Sequence, residues 1–259
     1  MLSAENFLPD AADTLTGKDV YNYARQHAGT KVLHRFLTNL AVGELPKEKM
    51  KIFFASMTAF VRHITPGIPA LASRLTDELY EELPYRAHGI AAHILDAAID
   101  EYGLSGTKPH AELLRDFAQH FDLTEEDLNA PENAVPTSHM LGQKMFEWYR
   151  TAPVDFALGM HTASEVTGYQ EAFGFYDAFL TPPKYGLAKD TPAFTYVATH
   201  VENEGDHSSD VVICLDKYLK AKPASHDPIL QGCRAYMVLY ETMFDEMNEA
   251  IFGDLEPAA

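Results

Sequence analysis

Apolar residues recur at three- and four-residue spacing along almost the whole chain, and no stretch of useful length alternates apolar with polar positions. From Asp19 to Leu40 the repeat runs through Val20, Tyr23, Ala24, His27, Val32, Leu33, Phe36 and Leu40, with Ala28-Gly29-Thr30 placed to bend or split it. Leu45-Pro46-Lys47 signals the next helix start, and Ile52, Phe53, Met57, Phe60, Val61 and Ile64 form its buried face. Pro66-Gly67-Ile68-Pro69 is expected to kink or end that helix, because proline lacks a backbone donor. Further helices are predicted over about 70–79, 85–102 and 110–121, with a short capped one at 123–128 and longer ones at 137–151, 154–180, 191–220 and 229–252. Residues 1–16 read as an N-terminal arm and 17–259 as one all-α domain, a bundle of seven to nine helices.

Composition narrows the function classes. At 46% hydrophobic residues the chain can bury a large core, and the formal charge of −18 repels nucleic-acid backbones and anionic membrane surfaces. Solubility is the plain explanation of that acidity. Two cysteines, Cys214 and Cys233, make no disulfide framework. The N-terminus does not read as a signal peptide, and no window is apolar enough to span a membrane, so a cytoplasmic protein is expected. Glycine-rich phosphate loops and the Gly-x-Ser-x-Gly elbow are absent.

The candidate chemistry centres on the run from His200 to His207. At about 100° per residue, Glu204 falls roughly 40° and His207 roughly 20° from His200, so three metal-ligand types share one helix face. That face continues through Tyr196, Val197, Val211, Cys214, Leu215 and Tyr218, where an uncompensated charge is costly and a cation would relieve it. Glu101 extends the apolar stripe of Ala87, Ile90, Ile94 and Ala97, His110 opens the next helix, and Glu165 shares a side with Leu158, His161, Thr162, Tyr169, Ala172 and Tyr176. Each alone has a plainer explanation as a satisfied core histidine or a solvated or paired acid. Together, three carboxylates and three imidazoles from several helices suit two iron or manganese ions. His161 and Tyr169, with His63 and Arg62, are candidates to line a substrate pocket.

The order Glu101…His110, Glu165, His200-x3-Glu204-x2-His207 resembles the haem-oxygenase-like di-iron oxidases, which share their all-helical fold with TenA-type thiaminases and PqqC. The resemblance implies a haem-oxygenase-like bundle in which Glu101, His110, Glu165, His200, Glu204 and His207 hold two Fe(II)/Fe(III) ions, with O2 as co-substrate. It further implies oxidation of a small organic molecule by N-oxygenation, desaturation or carbon–carbon cleavage, with an amino-acid-like substrate favoured by His161, Thr162 and Tyr169, and with a homodimer allowed. The alternatives are a fatty-acid-oxidising member of the same family, a cofactor-independent oxidase or thiaminase-like enzyme on the same fold, and a non-catalytic acidic interaction protein.

Overall fold

The computed structural model describes residues 15–104 and 106–253, with the backbone alone for 28 and 203–208. The expected arm thus lies outside the described residues except for Leu15, which is buried, and Thr16, which caps the first helix by exchanging hydrogen bonds with Asp19. Eleven α-helices follow: α1 (Gly17–Gln26), α2 (Ala28–Val42), α3 (Lys47–Val61), α4 (Ile64–Tyr80), α5 (Ala87–Glu101), α6 (His110–Gln119), α7 (Glu125–Asn129), α8 (Pro136–Thr151), α9 (Val154–Leu180), α10 (Thr195–Ala221) and α11 (His226–Phe252). No strand occurs among the described residues, and no helix among them is long and apolar enough to cross a membrane.

The count exceeds the seven to nine read from the pattern, and the split of the first predicted helix has a local cause. His27 takes an extended conformation and its Nδ1 accepts the Gly29 N–H at 3.1 Å, so a side-chain cap divides the predicted first helix into α1 and α2. The next break falls at Arg62–His63 rather than at the prolines. Pro66 sits in the first turn of α4, where an amide has no intrahelical acceptor, and Pro69 is carried inside the helix. The Pro66–Pro69 segment is therefore the start of α4, not the end of α3.

Helix α9 is the axis of the bundle. Its residues 157–167 are buried on every side, as expected for a helix segment enclosed by neighbours, while further along Phe173 and Asp177 are exposed. It packs most extensively on α11 and α10, and also against α1, α2 and α4. The α9–α11 crossing depends on two glycines. A Cβ at Gly159 would lie 1.8 Å from the Ile229 carbonyl oxygen, and one at Gly232 would lie 1.9 Å from that of Phe156. Part of the core is aromatic: Phe53 and Phe117 flank Phe54 in edge-on pairs at 5.0 Å each, and Phe179 meets Phe117 edge-on at 5.3 Å.

Gly159→Ala or Gly232→Ala should force α9 and α11 apart and destabilise the chain by about 1–3 kcal/mol, as overpacking does in other cores. Urea unfolding of either variant checks this, and an unchanged midpoint would mean that the crossing relaxes freely.

Candidate metal centre

The site begins with the way α5 ends. Leu104 donates to the Ile99 carbonyl at 3.0 Å and Gly103 to the Asp100 carbonyl at 2.8 Å, the paired bonds of a Schellman cap, with Gly103 at φ +72°. A Cβ there would lie within 2.5 Å of the Lys108 carbonyl carbon, so glycine both adopts the turn and lets the chain fold back against it. The return brings His110, first residue of α6, to the Glu101 carboxylate: Nδ1 lies 3.1 Å from Oε1. The other carboxylate oxygen accepts from the Thr65 hydroxyl at 2.8 Å, across from the proline-bearing start of α4.

Helix α10 supplies the third member. His200 packs its ring 4.3 Å from that of His110, and its Nδ1 donates to the Tyr196 carbonyl at 2.6 Å. A carbonyl can only accept, so this bond makes Nε2 the lone-pair nitrogen of neutral His200, the orientation in which ligating histidines are usually held. One ligand atom each from Glu101, His110 and His200 lies within 4.8 Å of the others. His110 is buried and its Nε2 has no hydrogen-bond partner. Such an atom costs about 1–3 kcal/mol, and a bound cation would remove that cost. The donor set of carboxylate oxygen and imidazole nitrogen suits iron, manganese or zinc. Burial alone would raise the Glu101 carboxyl, but the His110 hydrogen bond, the attraction of His110 and His200, and the Thr65 hydroxyl outweigh it and hold the group below its ordinary value. It is therefore an anion ready to meet a cation.

The three residues open onto a cavity whose walls also include Glu165 and Glu171 of α9 and Tyr236 of α11, with Phe60, Val61, Ile64, Ile68, Phe175 and Val197 making its apolar side. Of the six ligands implied by the resemblance, the structure brings together Glu101, His110 and His200 and lines the same cavity with Glu165. Glu204 and His207 lie in α10, but their side chains fall outside the described residues.

The four pocket candidates are placed elsewhere. His161 is fully buried behind the wall: its Nδ1 is 3.0 Å from the Tyr149 hydroxyl and 3.5 Å from Glu165 Oε1, so it supports Glu165 rather than facing the cavity. Tyr169 lines a separate outer depression with His34, Leu37 and Phe173. His63 packs on Phe146, and Arg62 is solvent-facing and bonds Asn129 at 3.1 Å. Thr162 donates to its own helix at the Leu158 carbonyl. The reason for favouring an amino-acid-like substrate thus loses its residues. His161 lies where α9 is buried all round and so has no single inner face, and Tyr169 lies where α9 turns a side toward the outer depression.

Thr65 and Glu171 were missed by the sequence reading. Thr65 is adjacent to Pro66, where a break in the helix was expected, and nothing in its local pattern marks it. Glu171 falls on the spacing Ser164, Gly168, Glu171, Phe175, a second stripe of α9 whose members all line the cavity. The Tyr240 hydroxyl of α11 donates to Glu171 Oε1 at 2.5 Å, and burial pushes the carboxyl up to about 7 despite that bond. Burial, joined by nearby carboxylates, holds the Tyr149, Tyr236 and Tyr240 hydroxyls well above their ordinary value, so they remain protonated donors.

Residues 51–241 match the profile of a family described as iron-containing redox enzymes. The chain belongs to that family. Solved structures share the fold of this iron-containing redox enzyme. A CADD-like protein of unknown function from Nostoc punctiforme is 12% identical with a TM-score of 0.67, over 93% of this chain and 96% of its own. A domain of unknown function with a heme oxygenase-like fold from Shewanella denitrificans is 14% identical, also at 0.67, over 95% of this chain and all of its own. At these identities the likeness establishes the haem-oxygenase-like architecture alone. No curated protein matches the chain.

Glu171 also sets a pH dependence. Its carboxyl titrates at about 7 when folded against 4.5 ordinarily, so the folded state holds the proton more tightly. The resulting stability is fully present below the unfolded value and is lost as pH rises through about 7, on the order of 3 kcal/mol in all. Urea unfolding at pH 5 and pH 8 should show the native chain losing stability relative to Glu171→Gln by that order. Parallel pH profiles would show that Glu171 is not the group responsible.

Proposed function

We propose that the enzyme is a non-haem oxidoreductase that binds two iron ions at the Glu101–His110–His200 cavity and uses O2 to oxidise a small organic substrate. The observation that supports this most directly is the convergence of a carboxylate and two imidazoles on one buried cavity, with His110 Nε2 lacking a partner. Membership of an iron-containing redox family supports iron as the metal. Glu165, on the same wall, and Glu204 and His207, further along α10, complete the proposed ligand set. Iron bound there would supply O2 activation and electron transfer.

The chain's own residues prepare that chemistry. Thr65 and His110 orient the Glu101 carboxylate, and the Tyr196 carbonyl sets the tautomer of His200. His161, backed by Tyr149, fixes Glu165 from behind. The apolar wall of Phe60, Ile64, Ile68 and Phe175 limits water around the reacting groups. A thiaminase-like reaction through a cysteine nucleophile is disfavoured, because burial pushes the Cys214 and Cys233 thiols up to about 12 and neither lines the cavity.

Iron analysis after anaerobic loading with Fe(II) tests the proposal. About two irons per chain are expected, as in helical-bundle di-metal proteins. His110→Ala and Glu101→Ala should each lose most of that iron while keeping the helical circular dichroism of the parent. A parent chain that takes up no iron, or variants that retain all of it, would overturn the assignment.

A further inference from the structure

The cavity contains one carboxylate that the metal centre does not use. Glu171 lies outside the group of donor atoms that converge within 4.8 Å, and it is held from the α11 side by Tyr240. Among the described residues, no lysine or arginine lines the cavity and no cation pairs with Glu171. Its surroundings are otherwise apolar, with Phe60, Ile68, Ala172 and Phe175 on the same wall.

We propose that Glu171 is the recognition carboxylate for the ammonium group of a small amphipathic amine, whose hydrocarbon part lies against the Phe60–Ile68–Phe175 wall. This rests on reading the cavity as the substrate pocket of the proposed oxidoreductase. A buried carboxylate with a single hydroxyl donor and no counter-charge is unfavourable as an anion, and an incoming ammonium supplies both the charge and the hydrogen bonds that it lacks. The direction of its titration agrees, since burial raises the group and no neighbouring cation offsets it. An anionic substrate would meet Glu101, Glu165 and Glu171 together, and an amino acid would bring a carboxylate for which this wall offers no cation. The formal charge of −18 also draws cations toward the protein as a whole.

Calorimetric titration of the full chain as purified, at pH 7.5 and with its iron content measured alongside, uses three four-carbon probes that differ in their polar head: n-butylamine, n-butanol and butyrate. The native chain should bind n-butylamine about tenfold or more tightly than either of the others, the scale of one hydrogen bond to a charged group. Glu171→Gln should erase that preference while n-butanol binds as before, which shows that the variant cavity is intact. Glu171→Asp, which keeps the charge, should retain part of the preference and serves as the deciding variant if the Gln form does not fold. Equal binding of the three probes by the native chain, no binding of the amine, or a preference unchanged in the variants would overturn the proposal. Because binding is read without turnover, a chain that holds iron but ignores the amine refutes only this inference. A chain that selects the amine but takes up no iron refutes only the oxidoreductase reading.

Discussion

Acidic side chains inside an apolar bundle set the terms for the rest of this structure. Glu101, Glu165 and Glu171 all face one cavity in the interior of a helical protein whose core is otherwise aliphatic and aromatic. Three anions so placed are unfavourable unless each is met by a donor or a cation. Glu101 meets Thr65, His110 and His200, and Glu165 is backed by His161; Glu171 has the Tyr240 hydroxyl. The first two have imidazoles beside them, which fits a metal centre. The third has only a neutral hydroxyl, and this difference separates a ligand-like carboxylate from one suited to recognition.

The scaffold that holds these groups is built from close approaches. Gly103 permits the turn that returns His110 to Glu101, and Gly159 with Gly232 lets α9 and α11 cross at backbone contact. Behind the cavity, the Tyr149 ring lies where a Cβ at Gly67 would stand, which seats the hydroxyl that steadies His161. At Gly103 and Gly67 the close approach accompanies a polar pair, Glu101–His110 and Tyr149–His161. The aromatic cluster around Phe54 and Phe117 reaches the cavity wall through the Phe53–Phe175 pair and takes in Tyr185 through Phe121 and Phe179, so apolar packing there braces α3, α6 and α9 against one another.

The family is defined by iron redox chemistry, and its shared bundle says little about what is oxidised. In this chain the discriminating information lies in the cavity wall that faces Glu101, His110 and His200: its hydrocarbon lining and, among the described residues, its lack of lysine and arginine and one acid without a counter-charge. Those features argue for a cationic, partly apolar substrate more directly than the fold does.

The all-α class followed from the sequence alone, because a 3.6-residue apolar period is imposed locally and survives in any tertiary arrangement. So did the spans of α8, α9 and α11 to within a few residues, and the placing of Glu101, His110 and His200 on core-facing positions. The split at His27 and the passage of α4 through two prolines were decided by a side-chain cap and by the position of Pro66 in the helix's first turn. Periodicity failed most on α9. Over residues 157–167 the helix is enclosed on every side and has no polar face to fix its phase, so the stripe that carries Glu165 also carries His161 and Tyr169, whereas the packing of α4, α10 and α11 brings Glu171 to the cavity beside Glu165. Which acids meet in one cavity is a property of how helices distant in the chain are rotated against one another, and only the tertiary structure determines that.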